Sequence, residues 1–180
     1  DQGRHHGAVM AAATPLIAEL DLGPVDVIGD VHGEIDALRQ LLARLGVDSE
    51  RAKVQRPLVF VGDLVDRGPD SVAVLELVRH LMQNGVAHAV LGNHEFNLLV
   101  GERREGNGWF RDDDEDHWTD DDNVRRPFIS RHLKSETERA AILDFLRTLP
   151  FVIQTPELRV VHAAWQPTAL DWLREQGSIE

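Results

Sequence analysis

Residues 25–29, 58–61 and 86–91 are short apolar runs, each the length of a buried strand, and each opens into a block of polar, ligand-type residues. The blocks are Gly29-Asp30-Val31-His32-Gly33, Gly62-Asp63-Leu64-Val65-Asp66-Arg67-Gly68 and Gly92-Asn93-His94-Glu95. Beyond the first, Ile35, Leu38, Leu41, Leu42 and Leu45 recur at helical spacing until Gly46 stops them. Beyond the second, Asp70 predicts an N-cap, followed by Val74, Leu75, Val78, Leu81 and Met82 on one face until Gly85. Strand and helix alternating in this way predict parallel strands joined by right-handed crossovers. Open α/β sheets build their sites at the C-terminal strand ends. Asp30, His32, Asp63, Asn93 and His94, with Arg67 alongside, are therefore delivered to one edge. Such a set suits a pair of divalent cations and an anionic substrate.

The remaining segments complete a two-sheet plan. Ser135-Glu136-Thr137-Glu138 fits a capping box, and the helix carrying Ile142, Leu143, Leu146 and Leu149 ends at Pro150. Residues 151–154 and 158–161 read as a hairpin across Thr155-Pro156-Glu157, which begins a second sheet and makes the fold a sandwich. Pro167 is placed at N1 of a last helix bearing Leu170, Trp172 and Leu173. Between 101 and 135 the periodicity collapses into an acidic insertion, with Asp112-Asp113-Asp114-Glu115-Asp116 and Asp120-Asp121-Asp122 around His117-Trp118-Thr119. Dense like charge opposes packing and predicts a solvated loop.

At 180 residues the length fits one domain, assigned to 24–180. Residues 1–9, with His5-His6 ahead of Met10, read as a leader or tag remnant. The apolar stretch 8–18 is broken by Pro15, lacks the build of a secretory signal and is expected to be loose. No apolar run approaches the roughly 20 residues of a membrane span, so no membrane partner is expected. The absence of Cys fits a reducing cytoplasm. A net charge of −12, from 19 Lys and Arg against 31 Asp and Glu, argues against nucleic acid as a partner.

The three blocks in order, followed by a lone His162 in Val160-Val161-His162-Ala163-Ala164, form a GDxHG, GDxxDRG, GNHE and strand-His series. Over about residues 25–164 the chain resembles the calcineurin-like metallophosphoesterases, on the branch holding Ser/Thr protein phosphatases and dinucleoside tetraphosphate hydrolases. The resemblance implies an αββα sandwich. It assigns Asp30, His32 and Asp63 to a first metal, Asp63 as a bridge, and Asn93 and His162 to a second. Manganese is the expected ion, with Fe, Zn, Co or Ni as alternatives. His94 is implied as general acid, Asp66 as the group orienting it, and Arg67, with Asn93, as the phosphate-binding residues. Glu95 is read as a supporting residue at a helix start. The glycines are expected to allow tight turns close to the metals.

The implied reaction is hydrolysis of a phosphate ester by metal-bound hydroxide, with a phosphorylated Ser/Thr protein as the first substrate class. Dinucleoside polyphosphate or nucleotide hydrolysis on the same core is the alternative, and a non-catalytic metal-binding scaffold a further one. The family draws another second-metal His from a later block, and no His follows His162 here. The resemblance thus implies a longer parent chain or a weaker second site.

Overall fold

The computed structural model describes residues 15–111, 117–119, 122–127 and 130–177. Leu58, Val59 and Phe60 are wholly buried, as expected of a strand covered on both faces. They form β3 (Leu58–Phe60), the centre of a parallel sheet flanked by β2 (Asp26–Ile28) and β4 (Ala87–Ala89), with Val59 opposite Val27 and His88. β1 (Ile17–Glu19) precedes them in the chain. The crossovers are α1 (Ile35–Arg44) and α2 (Ser71–Gln83). As anticipated, Asp70 caps α2, its Oδ1 accepting the Ala73 N–H at 2.8 Å.

Side chains alternate across β3. Leu58 and Phe60 join Leu38, Leu42, Leu75 and Val78 in the helix-facing core. Val59 instead packs with Val90, Ile153 and Val160 in a second cluster between two sheets. The chain continues through α3 (Asn93–Leu99), α4 (Gly108–Arg111), the hairpin β5 (His117–Thr119) and β6 (Arg125–Pro127), and α5 (Glu136–Leu146). The second sheet holds the predicted hairpin, β7 (Val152–Gln154) antiparallel to β8 (Arg159–Val161), and α6 (Pro167–Gln176) follows. Leu170 of α6 is buried, whereas Trp172 of the same helix is 59% exposed. No helix among the described residues is long and apolar enough to cross a membrane.

Two segments depart from expectation. Ile17 and Ala18 lie in the stretch expected to be loose, yet with Glu19 they form β1, parallel to β7 with Ile17 opposite Val152. The short apolar segment finds its partner in a strand far along the chain, which no local pattern announces. The leader reading of residues 1–9 falls outside the described residues. The acidic insertion is also more ordered than a solvated loop: Asn107, Trp109 and Phe110 are buried, and β5 pairs with β6. Apolar Trp109-Phe110 supplies packing surface that net charge conceals. The acidic run 112–116, with 120 and 121, lies outside the described residues.

Candidate functional site

Parallel pairing brings the C-terminal ends of β2, β3 and β4 side by side, so the three blocks meet. Backbone bonds lock the loops together. The Asp63 carbonyl accepts the N–H groups of Val31 and His32, both at 2.9 Å, and the Leu64 carbonyl accepts that of Gly33 at 2.8 Å. The space is tight enough to demand glycine, Gly62 and Gly68 among the positions concerned. At Gly62 φ is +96° and a Cβ would lie 2.5 Å from the Gly92 nitrogen; on Gly68 it would overlap the His32 carbonyl. Gly29, by contrast, faces open space, so the close approach expected there is not what its position requires. His32, Asp63, Asp66 and Arg67 all have φ between +46° and +72°. Such conformations cost energy outside glycine and are retained where surrounding bonds over-determine them.

Asp63 is the centre of the site. Its Oδ2 lies 3.3 Å from His162 Nε2, 3.8 Å from His32 Nε2 and 3.9 Å from His94 Nε2. Among the described residues, His32, Asp63 and His94 offer ligand atoms that all lie within 4.8 Å of one another. Each imidazole is held from behind through Nδ1. His32 Nδ1 donates to the Val65 carbonyl at 3.0 Å and His162 Nδ1 to the Val61 carbonyl at 2.9 Å. His94 Nδ1 donates to Asp66 Oδ2 at 2.7 Å. A backbone-anchored Nδ1–H leaves Nε2 as the ligand atom, the usual arrangement at metal-binding histidines.

Around this centre acceptors face acceptors. Asn93 Oδ1 is 3.0 Å from His162 Nε2, and Asp30 Oδ2 is 4.0 Å from His32 Nε2. Cations between these groups satisfy lone pairs that would otherwise repel. Mixed carboxylate, amide and imidazole donors fit borderline divalent ions. Burial, reinforced by the charges of Arg67 and His94, pushes the His32 imidazole down despite its bond to Val65, favouring the neutral form that a metal requires.

His94 behaves differently. Burial opposes its charge, but the hydrogen bond and charge of Asp66, with Asp63 behind, outweigh burial and raise its pKa. Asp66 is itself wholly buried. Its second oxygen accepts the Trp109 Nε1–H at 2.7 Å, and its backbone N–H donates to Ser71 Oγ at 2.9 Å. Arg67 lies at the rim, with Nη1 donating to His32 Nε2 at 3.3 Å.

The structure thus gathers Asp30, His32, Asp63, Asn93, His94, His162, Asp66 and Arg67, the whole predicted set, at one edge. It also shows two contributors that sequence reasoning missed or undervalued. Trp109 lies within the acidic stretch, where a lone apolar doublet is the available signal. Glu95 is wholly buried and braces the site, accepting N–H groups from Asp63, Gly92, Leu64 and Val65 at 2.8–3.2 Å. Burial and the Asp63 charge push its carboxyl up to about 7, against the pull of those donors.

The family model described as calcineurin-like phosphoesterase matches residues 23–177. The chain belongs to that family. Among relatives of this calcineurin-like phosphoesterase is a symmetrical bis(5'-nucleosyl)-tetraphosphatase of Ralstonia nicotianae, 36% identical over 162 residues, covering 87% of this chain and 48% of that protein. An asymmetrical bis(5'-nucleosyl)-tetraphosphatase of Oceanobacillus iheyensis is 45% identical over 74 residues, covering 39% and 30%. The phosphoesterase therefore spans half or less of the length of these relatives. Among solved structures, a proposed diadenosine tetraphosphatase shares 25% identity at a TM-score of 0.54, covering 86% of this chain and 56% of the other. A cold-active protein-tyrosine phosphatase from Shewanella, at 18% identity and a TM-score of 0.58, covers 98% and 56% and shares the fold.

Proposed function

We propose that the chain carries the dimetal core of a hydrolase acting on dinucleoside polyphosphates. The observation that carries the chemistry is the convergence of three imidazole Nε2 atoms on Asp63 Oδ2, beside a buried His94–Asp66 pair. The substrate class rests on the relatives, which favour the dinucleoside reading over the phosphoprotein reading that the motifs placed first. Asp30, His32 and Asp63 would hold one divalent cation, and Asp63, Asn93 and His162 a second. Bound there, such cations supply Lewis-acid polarisation of phosphoryl oxygens and lower the pKa of water.

The chain's own residues do the rest. Arg67 presents a planar fork to two phosphate oxygens, anchoring the anion at the rim. Asp66 fixes Nδ1 of His94, so that Nε2 faces the substrate with the proton. As the bond from water oxygen to phosphorus forms and the P–O bond to the leaving nucleotide breaks, the His94 proton passes to the departing oxygen. The proton from water leaves to solvent. Buried Glu95 holds the loop carrying Asp63 still throughout.

The test compares a dinucleoside tetraphosphate with a phosphoserine peptide, each with Mn²⁺ and with chelator. Metal-dependent turnover with the higher kcat/KM for the dinucleotide is expected. Chromatography of the products separates a symmetrical cut, two nucleoside diphosphates, from an asymmetrical one, a mono- and a triphosphate. A higher kcat/KM for the peptide overturns the substrate assignment; turnover unaffected by chelator overturns the metal assignment.

A further inference from the structure

We infer that Trp109, delivered by the insertion between α3 and α5, is a positioning residue for the His94–Asp66 pair. The inference rests on the reading of His94 as proton donor in the reaction proposed above. The Asp66 carboxylate has two oxygens and both are committed, Oδ2 to His94 Nδ1 and Oδ1 to Trp109 Nε1, each at 2.7 Å. Asp66 and Trp109 have no exposed surface, so water does not replace the indole N–H. A carboxylate pinned at one oxygen can swing about its terminal torsion; pinned at both, it holds the imidazole in one plane. Indole is suited to this task because it is a donor alone and cannot compete with His94 for a proton.

The insertion is anchored to perform the same task from the backbone side. Gly106 accepts the N–H of Arg67 at 3.3 Å, and a Cβ on Gly106 would stand 3.2 Å from the Arg67 Cγ. Trp109 itself is tied down where its carbonyl accepts the Leu133 N–H at 2.8 Å. Arg139 Nη1 bonds the carbonyls of Leu133 and Phe110 at 2.8 and 3.4 Å. Asn107 closes the preceding turn, accepting the Arg104 N–H and donating to the Glu102 carbonyl. The segment thus clasps Asp66 by its side chain and Arg67 by its main chain, two adjacent residues with positive φ. A stretch whose acidity suggests a solvated flap is, at this end, part of the frame of the site.

Two readouts on the full chain test this. In metal-free protein the short Nδ1–H bond to Asp66 should give a low-field proton resonance, assigned by its loss in His94→Asn. Trp109→Phe keeps a ring and removes the N–H, and should move that resonance. In the metal-loaded protein the same variant should lower kcat about 10–100-fold for an alkyl phosphate, the usual scale for an orienting partner. KM should hold, and the loss should be smaller for 4-nitrophenyl phosphate, whose leaving group needs little help. Trp172→Phe, at an exposed position, sets the background. If Trp109→Phe does not fold, a benzothienylalanine at 109, with the indole's shape and sulfur in place of N–H, is read in the same way. An unmoved resonance, or an equal loss for both esters, overturns the inference. If the wild type hydrolyses neither ester, the resonance alone decides the role of Trp109, and the dinucleotide assay above decides the reaction separately.

Discussion

One carboxylate oxygen of Glu95 accepts the Asp63 backbone N–H at 2.8 Å and the Gly92 N–H at 2.9 Å, tying the second block directly to the third. The other oxygen accepts from Leu64 and Val65. A glutamine has one acceptor oxygen, and its amide would face two N–H donors. Glu95→Gln should therefore orphan two buried donors and cost about 2–6 kcal/mol at roughly 1–3 kcal/mol each. Urea unfolding checks this; a midpoint equal to wild type would show that the brace carries no stability.

Asp63→Asn should remove bound metal and turnover together. The variant can still accept the His94 N–H, which in the wild type bonds Oδ1 at 3.1 Å, so the fold should survive. What is lost is the charge placed among three imidazoles, and with it compensation for two adjacent cations. Metal analysis after desalting, alongside circular dichroism, separates loss of the site from loss of the fold. Two ions retained tightly would show that Asp63 is not the bridge.

His94→Asn should keep metal while kcat falls about 10²–10⁴-fold, the scale of general acid–base assistance. The loss should be greatest for poor leaving groups and shrink for 4-nitrophenyl phosphate. Equal losses across the series would remove His94 from the proton-donor role.

In metal-free protein, stability should depend on the His94 proton. Its folded pKa is raised above the 6.5 of an ordinary imidazole because Asp66 and Asp63 outweigh burial. Stability from that proton is fully present below 6.5 and is lost as pH rises through the folded value. Glu95, raised from 4.5 to about 7, acts in the same direction across that interval. With chelator present, the stability advantage of wild type over His94→Asn should narrow as pH is raised above 6.5. Denaturant melts at a series of pH values measure it, and an advantage that widens would reverse the assigned sign.

Much of the site is legible in sequence because its parts are local. Asp30 and His32 share one loop, Asp63, Asp66 and Arg67 another, and Asn93 and His94 a third, each announced by the strand before it. The periodicity of α1 and α2, the Asp70 cap and the β7–β8 hairpin rest on neighbours a few residues apart, where spacing and turn chemistry are visible. His162 is legible only through family resemblance, since a lone His after a strand carries little signal by itself.

Tertiary structure alone decided the pairing of Ile17–Glu19 with Val152–Gln154, the four-donor brace of Glu95, and the reach of Trp109 across 43 positions to Asp66. Of these only Glu95 stands in a motif, and the motif does not announce its four partners. Each joins segments whose separation costs little once the intervening chain has folded, because the entropy of closing a loop grows only logarithmically with its length. The sequence determined which groups stand at the strand ends. Burial and long-range hydrogen bonds determined how those groups are aimed, because an unpaired polar atom in the core is too costly to leave and its partner can come from any part of the chain.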